Sequence, residues 1–131
     1  MQIRDAVERD APAMASLGEA PESVLRNLVH DRTVRVLVDG EDDESIHGFV
    51  SFDAREAAVH VTEFGGDREG YERLLEEPLR FAAREGLPVE MLLGDADEAM
   101  RRAAQAVGFT KSGPGPRFRG ETTRRYRFDP S

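Results

Sequence analysis

The residues best placed to do chemistry gather in one stretch, AAVHVTEFGGDREGYERLLEEPLRFAAREG, residues 57–86. His60 alternates with Val59 and Val61, so its ring points to one face of a strand. An imidazole titrates where a general base works. A lone strand histidine is more often packed or solvated, and both readings stand. Gly65 and Gly66 break the strand, and Tyr71, Leu74, Leu75, Pro78, Leu79 and Ala82 then fall on one helical face. Strand, glycine turn and helix N-terminus form a common anion site, because free N–H groups and the helix dipole meet negative charge there. Two other phosphate motifs fail. Gly65-x4-Gly70 is followed by Tyr71 and Glu72 rather than Lys and Ser/Thr, and G-x-G-x-x-G does not occur.

Further along, Arg117, Arg119, Arg124, Arg125 and Arg127 concentrate positive charge. They read as a solvated hairpin balancing an acidic body, or as an anion site. His30 and His47 read as structural, and three scattered histidines give no zinc spacing. The run DGEDDES at 39–45 is acidic but lacks calcium-loop spacing and flanking helices, so it reads as a solvated hairpin turn. No cysteine is present, which excludes disulfides and thiolate sites. No metal is expected.

Stepping outward, 131 residues fit one domain, residues 1–131. Asp and Glu total 26 against 18 Lys and Arg, for a net charge of −8, and Lys111 is the only lysine. Such an acidic, lysine-poor surface suits a salt-adapted cytoplasm; GC-rich codon bias would also favour arginine over lysine. Bulk acidity argues against a nucleic-acid partner. No apolar run approaches the ~20 residues of a membrane span, and the N-terminus is charged from Arg4 onward without a signal-like apolar core. A soluble cytoplasmic protein is expected.

The elements that position these residues follow from periodicity. A strand covers 2–6. A helix follows with Asp10 as N-cap and Pro12 in its first turn, ending at Gly18. A second helix runs over 21–31 and strands over 33–38 and 46–52. A tight turn at Arg55-Glu56 leads to the strand at 57–64. The helix from Tyr71 to Gly86 contains Pro78, which predicts either a kink or a break into two pieces meeting near Glu77. Asp67 reads as a helix N-cap that competes with an anion for the same turn. A strand at 87–93, a helix at 96–107 with an Asp95–Glu98 capping box, and strands at 109–112 and 122–128 around a 113–116 loop complete the chain. Only the strands near residues 60 and 90 are joined by a helix long enough for parallel pairing. The fold class is α/β (α+β): a mixed, mostly antiparallel sheet of about seven strands with helices on both faces.

This order, together with IRDAVERDAPAMASL (3–17), LLEEPLRFAAREG (74–86) and DADEAMRRAAQAVGF (95–109), resembles the GNAT family of acyl-CoA-dependent N-acyltransferases over nearly the whole chain. The resemblance implies a splayed central pair of parallel strands near residues 58–63 and 89–93, with the pantetheine arm of acetyl-CoA between them beside Val61 and Thr62. It implies that the pyrophosphate lies against Gly65, Gly66, Arg68, Gly70 and Tyr71. The family's phosphate loop is R/Q-x-x-G-x-G/A; here Gly66, Glu69 and Tyr71 stand at those positions. Its frequent acidic tyrosine is replaced by Ala104, and an asparagine at the start of the last helix by Asp97. Acyl transfer to an amine needs a base and an acid. His60 and Glu63 are the base candidates. Tyr71 and Tyr126 are the only tyrosines, and Tyr126 is carried as the candidate acid. The expected function is transfer of an acetyl group from acetyl-CoA to a small-molecule or peptide amine. The alternative is a domain of this fold that has lost the cofactor and serves as a binding module or forms a homodimer.

Overall fold

Alternation of valines decides the first half of the chain. In the strand at 33–38, Val34, Val36 and Val38 pack on one side and Leu37 on the other, so the strand is buried on both faces. The computed structural model describes residues 1–39, 45–117 and 120–130. Its strands are β1 (Gln2–Asp5), β2 (Thr33–Val38), β3 (Ile46–Arg55), β4 (Ala58–Gly66), β5 (Val89–Gly94), β6 (Thr110–Pro114) and β7 (Thr123–Phe128). The helices are α1 (Ala11–Leu17), α2 (Glu22–Asp31), α3 (Tyr71–Glu85) and α4 (Glu98–Ala106). All seven strands form one sheet in the order β1-β2-β3-β4-β5-β7-β6. Only β4 and β5 are parallel neighbours. Most of the expected acidic turn, residues 40–44, lies outside the described residues, as does Arg119.

Two cores result. Under α1 and α2, Met14 and Leu25 pack with Val34, Val36, Val38 and Phe49. Under α3 and α4, Leu74, Leu75, Met100 and Ala104 pack with Val50, Phe52, Val59, Met91, Leu93 and Tyr126. The first cluster contains no residue of β5, β6 or β7. Strands β5 and β7 are therefore covered on the α3–α4 side only, and β6 contributes to neither cluster.

The sequence expectations need four corrections. First, α3 is continuous through Pro78 and is not split into two pieces. Burial of Leu74 and Leu75 stabilises by about 1.5–3 kcal/mol each, which offsets the roughly 3 kcal/mol that an interior proline costs. Glu77, beside the proline, also bonds Arg35 on β2 at 3.1 Å and Arg80 at 3.0 Å. Second, the Asp95–Glu98 capping box does not form. Asp97 is the N-cap residue, and its carboxylate accepts the Gly94 N–H at 2.9 Å, closing a turn that delays the helix to Glu98.

Third, Asp10 does not cap α1 with its side chain. A single 3-10 turn precedes the helix, and the Asp10 carboxylate accepts the Val7 N–H at 2.8 Å and both arms of the Arg4 guanidinium at 2.8 and 3.0 Å. Burial raises this carboxyl, but the Arg4 and Val7 hydrogen bonds and the charges of Arg4 and Arg9 outweigh it, leaving the group below the usual carboxylate range. Fourth, the Asp67 carboxylate accepts no cap hydrogen bond. A 3-10 turn over Arg68–Gly70 separates it from α3, and its carboxylate lies 3.5 Å from Nδ1 of His47 instead.

Candidate active site

Strands β4 and β5 pair at Val59 with Val89 and at His60 with Glu90, and no further. From Val61 on β4 and Met91 on β5 the two strands run side by side without register. Parallel strands bond evenly along their length, so the splay leaves two facing backbone edges with unmet donors and acceptors. A second irregularity of β4 lies on its other edge, against β3. Glu63 pairs with Ser51 and Val61 with Phe52, which makes Thr62 the extra residue of a bulge in β4. A half-buried hydroxyl pair holds that bulge: the Thr62 hydroxyl lies 2.9 Å from the Ser51 hydroxyl and donates to the Ser51 carbonyl at 3.3 Å. Val61 and Phe64 pack into the α3–α4 core. The extra residue therefore puts Thr62 and Glu63 together on the opposite side.

After β4 the chain turns through Gly66 and Gly70 into α3. The glycines serve the packing of this turn against the sheet. Gly66 has φ +114, and a Cβ there would stand 2.3 Å from the His47 carbonyl oxygen. A Cβ on Gly65 would meet the Leu17 carbonyl oxygen at 2.8 Å, and one on Gly70 would meet Leu37 Cδ2 at 2.5 Å. The Asp67 amide is bonded to the His47 carbonyl (2.8 Å) and the Gly70 amide to the Asp67 carbonyl (2.9 Å). The Arg68 and Glu69 amides, at the start of the 3-10 turn, have no acceptor of their own within it.

Between the start of α3 and α4 runs a groove of about 560 Å³. Its charged lining is Arg68, Glu69 and Glu72 from one side and Glu98 and Arg102 from the other. Two cations stand against three carboxylates. Arg102 is also held by Glu98 at 2.7 Å, which leaves Arg68 as the cation with no carboxylate partner among the described residues. An elongated ligand with a peptide-like middle fits the splayed edges. A strongly anionic end is met by Arg68 and the Arg68 and Glu69 amides and opposed by Glu69 and Glu72.

Tyr71 opens α3 and packs against the α3–α4 core. Its ring meets Phe64 edge-on, with centroids 5.7 Å apart. Burial raises its phenol above the usual range. Asp97 and Asp67 add to the shift, and Arg68 opposes it. The hydroxyl stays protonated at neutral pH. Tyr126, the other tyrosine, is 2% exposed and shares the α3–α4 core cluster with Ala104.

The structure thus gathers Val61, Thr62 and Glu63 at the mouth of the splay and puts Arg68 in the groove. Gly65, Gly66 and Gly70 lie tight against the sheet. His60 sits at the closed end, where its Nε2 lies 3.1 Å from the Arg55 carbonyl. A carbonyl accepts only a donor, so that nitrogen carries the proton and Nδ1 is the basic one. Leu92 escaped sequence reading: MLLG at 91–94 looks like a strand buried on both faces, yet Leu92 is 43% exposed. The available signal was a count of helices, since none remains to cover that side.

No family model and no curated protein matches this sequence. Solved structures do match its fold. The chain aligns over 98% of its length, and 92% of the other chain, with a ribosomal-protein-S5-alanine acetyltransferase from Vibrio fischeri at 17% identity and a TM-score of 0.75. An N-acetyltransferase from Staphylococcus aureus Mu50 aligns over 98% of this chain and 96% of its own at 10% identity and a TM-score of 0.78. A GNAT superfamily phosphinothricin acetyltransferase from Sinorhizobium meliloti, in complex with AcCoA, aligns over 97% and 86% at 16% identity and a TM-score of 0.71. The seven-stranded sheet with one parallel pair and four helices is the GNAT fold.

Proposed function

We propose that this protein transfers an acetyl group from acetyl-CoA to an amine. The observation that carries the reading is the termination of β4–β5 pairing at His60 and Glu90, which leaves two peptide edges facing one gap. Those edges match the amides of a pantetheine arm, and Val61 and Thr62 lie on them. Gly65, Gly66 and Gly70 shape the turn that presents Arg68 and Tyr71 to the cofactor's phosphate end. The likeness to a solved acetyltransferase in complex with AcCoA supports the choice of donor.

Glu63 is the proposed base, since it stands beside the bulge where the strands part. It takes a proton from the ammonium; the freed nitrogen attacks the thioester carbonyl; the carbon–sulfur bond breaks and the thiol leaves with a proton. His60 is the second base candidate, with Nδ1 as its basic atom. Tyr126 is kept as the candidate acid because it shares a core with Ala104, where the family tyrosine would stand. The acidic surface supports a salt-adapted cytoplasm as the setting.

A second reading has its own support. The turn glycines are explained by packing against α1, β2 and β3, and the groove has more carboxylates than cations. Both would suit a domain of this fold that does not use acetyl-CoA. Calorimetric titration of acetyl-CoA into the folded protein separates the two. Micromolar binding supports the transferase. Absence of binding, with a native circular dichroism spectrum, supports the binding module.

A further inference from the structure

The side of the sheet that α1 and α2 leave uncovered carries an apolar side chain and a cation next to each other. Leu92 is exposed in the middle of β5, between buried Met91 and Leu93. Its partner across the strand pair is Arg125 on β7. Antiparallel partners stand on the same face with Cβ atoms about 5 Å apart. Arg125 is exposed and has no carboxylate partner among the described residues. Arg127, next on the same face, is closed off by Glu90 at 2.6 Å and Asp129 at 2.7 Å.

Just past β6, Gly115 lies against Leu92. The Gly115 N–H donates to the Thr123 carbonyl at 2.9 Å, and a Cβ on Gly115 would stand 2.8 Å from Leu92 Cδ2. Across the splay, Thr62 and Glu63 stand on the same side of the sheet as Leu92. A carboxylate, an apolar surface and a guanidinium with no carboxylate partner among the described residues therefore share one side of the sheet, opposite the α3–α4 groove.

Resting on the transferase reading, we infer that the acceptor is an apolar α-amino acid or a closely related amino carboxylate. Arg125 holds its carboxylate, Leu92 its side chain, and Glu63 faces its amine. A body with net charge −8 repels a carboxylate at long range. Recognition then needs a cation at close quarters, and the guanidinium fork matches a carboxylate with two parallel hydrogen bonds.

The test is equilibrium binding of leucine and leucinamide by calorimetry, with acetyl-CoA titrated separately. Leucine is expected to bind about tenfold more tightly than leucinamide, as one charge-assisted contact allows. Arg125→Gln abolishes the ratio, and Arg125→Lys recovers part of it, with circular dichroism showing that both variants fold. Leu92→Ser weakens leucine relative to glycine. Equal binding of leucine and leucinamide, survival of the ratio in Arg125→Gln, or no leucine binding overturns the inference. If the ratio holds while acetyl-CoA fails to bind, the carboxylate site stands and the transferase reading falls.

Discussion

His60 and Glu90 are the last residues in register between β4 and β5, and they also sit in the middle of a polar row that crosses four strands. Asp53 stands opposite His60, His60 opposite Glu90, and Glu90 opposite Arg127. Glu90 bonds Arg127, and His60 bonds the Arg55 carbonyl. The row marks the closed end of the splay. Beyond it, on the side where the strands part, Glu63 is the next carboxylate on β4. Geometry therefore separates the two base candidates by their distance from the opening.

Exchange of Glu63 for glutamine is expected to lower kcat by about 100-fold, the usual weight of a general base, and to leave acetyl-CoA affinity within about twofold. His60→Gln, at the closed end, should lower kcat by less than about tenfold. Steady-state kinetics with any accepted amine decides it. The opposite ranking would move the base role to His60.

The groove makes a prediction about charge. Glu69 and Glu72 oppose an anion at the start of α3, each by about 0.3–1 kcal/mol, so Glu69→Gln and Glu72→Gln should each tighten acetyl-CoA binding by about two- to fivefold at low salt. Arg68→Gln should weaken it. The differences should shrink in molar salt as screening grows. Affinity that ignores all three changes would place the cofactor elsewhere.

The turn glycines should differ sharply in tolerance. At Gly66 a Cβ meets backbone on β3, and φ is positive, so Gly66→Ala strains the chain twice over. At Gly70 φ is −92° and the obstacle is the end of the Leu37 side chain, which can move. Thermal melting should show a loss of several degrees for Gly66→Ala and a much smaller one for Gly70→Ala. Similar losses would mean that the sheet gives way at His47.

Asp10 predicts a pH window. Its folded pKa is depressed, so its contribution is present above the unfolded value of about 3.9 and is lost as pH falls through the folded value. Removing the charge from this buried, paired carboxylate should cost about 2–4 kcal/mol at pH 7. Denaturant melts of wild type and Asp10→Asn should therefore differ at neutral pH and converge in strong acid. A gap that stays constant down to pH 2 would assign the loss to packing.

Much of the fold is legible in the sequence because period and punctuation agree. The valine alternation at 33–38 and the apolar stripe from Tyr71 to Ala82 each specify one kind of element, and the order of strands and helices emerges as expected. What was hidden is the competition between local signals and contacts distant in sequence. Asp10 looks like a helix cap until Arg4 claims it, and Asp67 until His47 lies beside it. Pro78 looks like a break until the core beneath α3 is counted. The site was half legible. The glycines were visible, but their partners on α1, β2 and β3 were not, and the reason for a glycine decides whether its turn faces a ligand or the sheet. The bulge at Thr62 leaves no mark in the sequence, since it is a matter of register with β3.

The one-sided cover of β5 and β7 has a consequence for motion. Strands β2 and β3 are held by packing on both faces, whereas β5 and β7 depend on the α3–α4 side and their ladders, and β6 on its ladder with β7. Amide protons on β6, the edge, should exchange with solvent well before those on β3, because local opening there exposes less buried surface. The Leu92–Arg125 face would then breathe while β2 and β3 stay still, and leucine, if it binds as proposed, should slow exchange on β7 first.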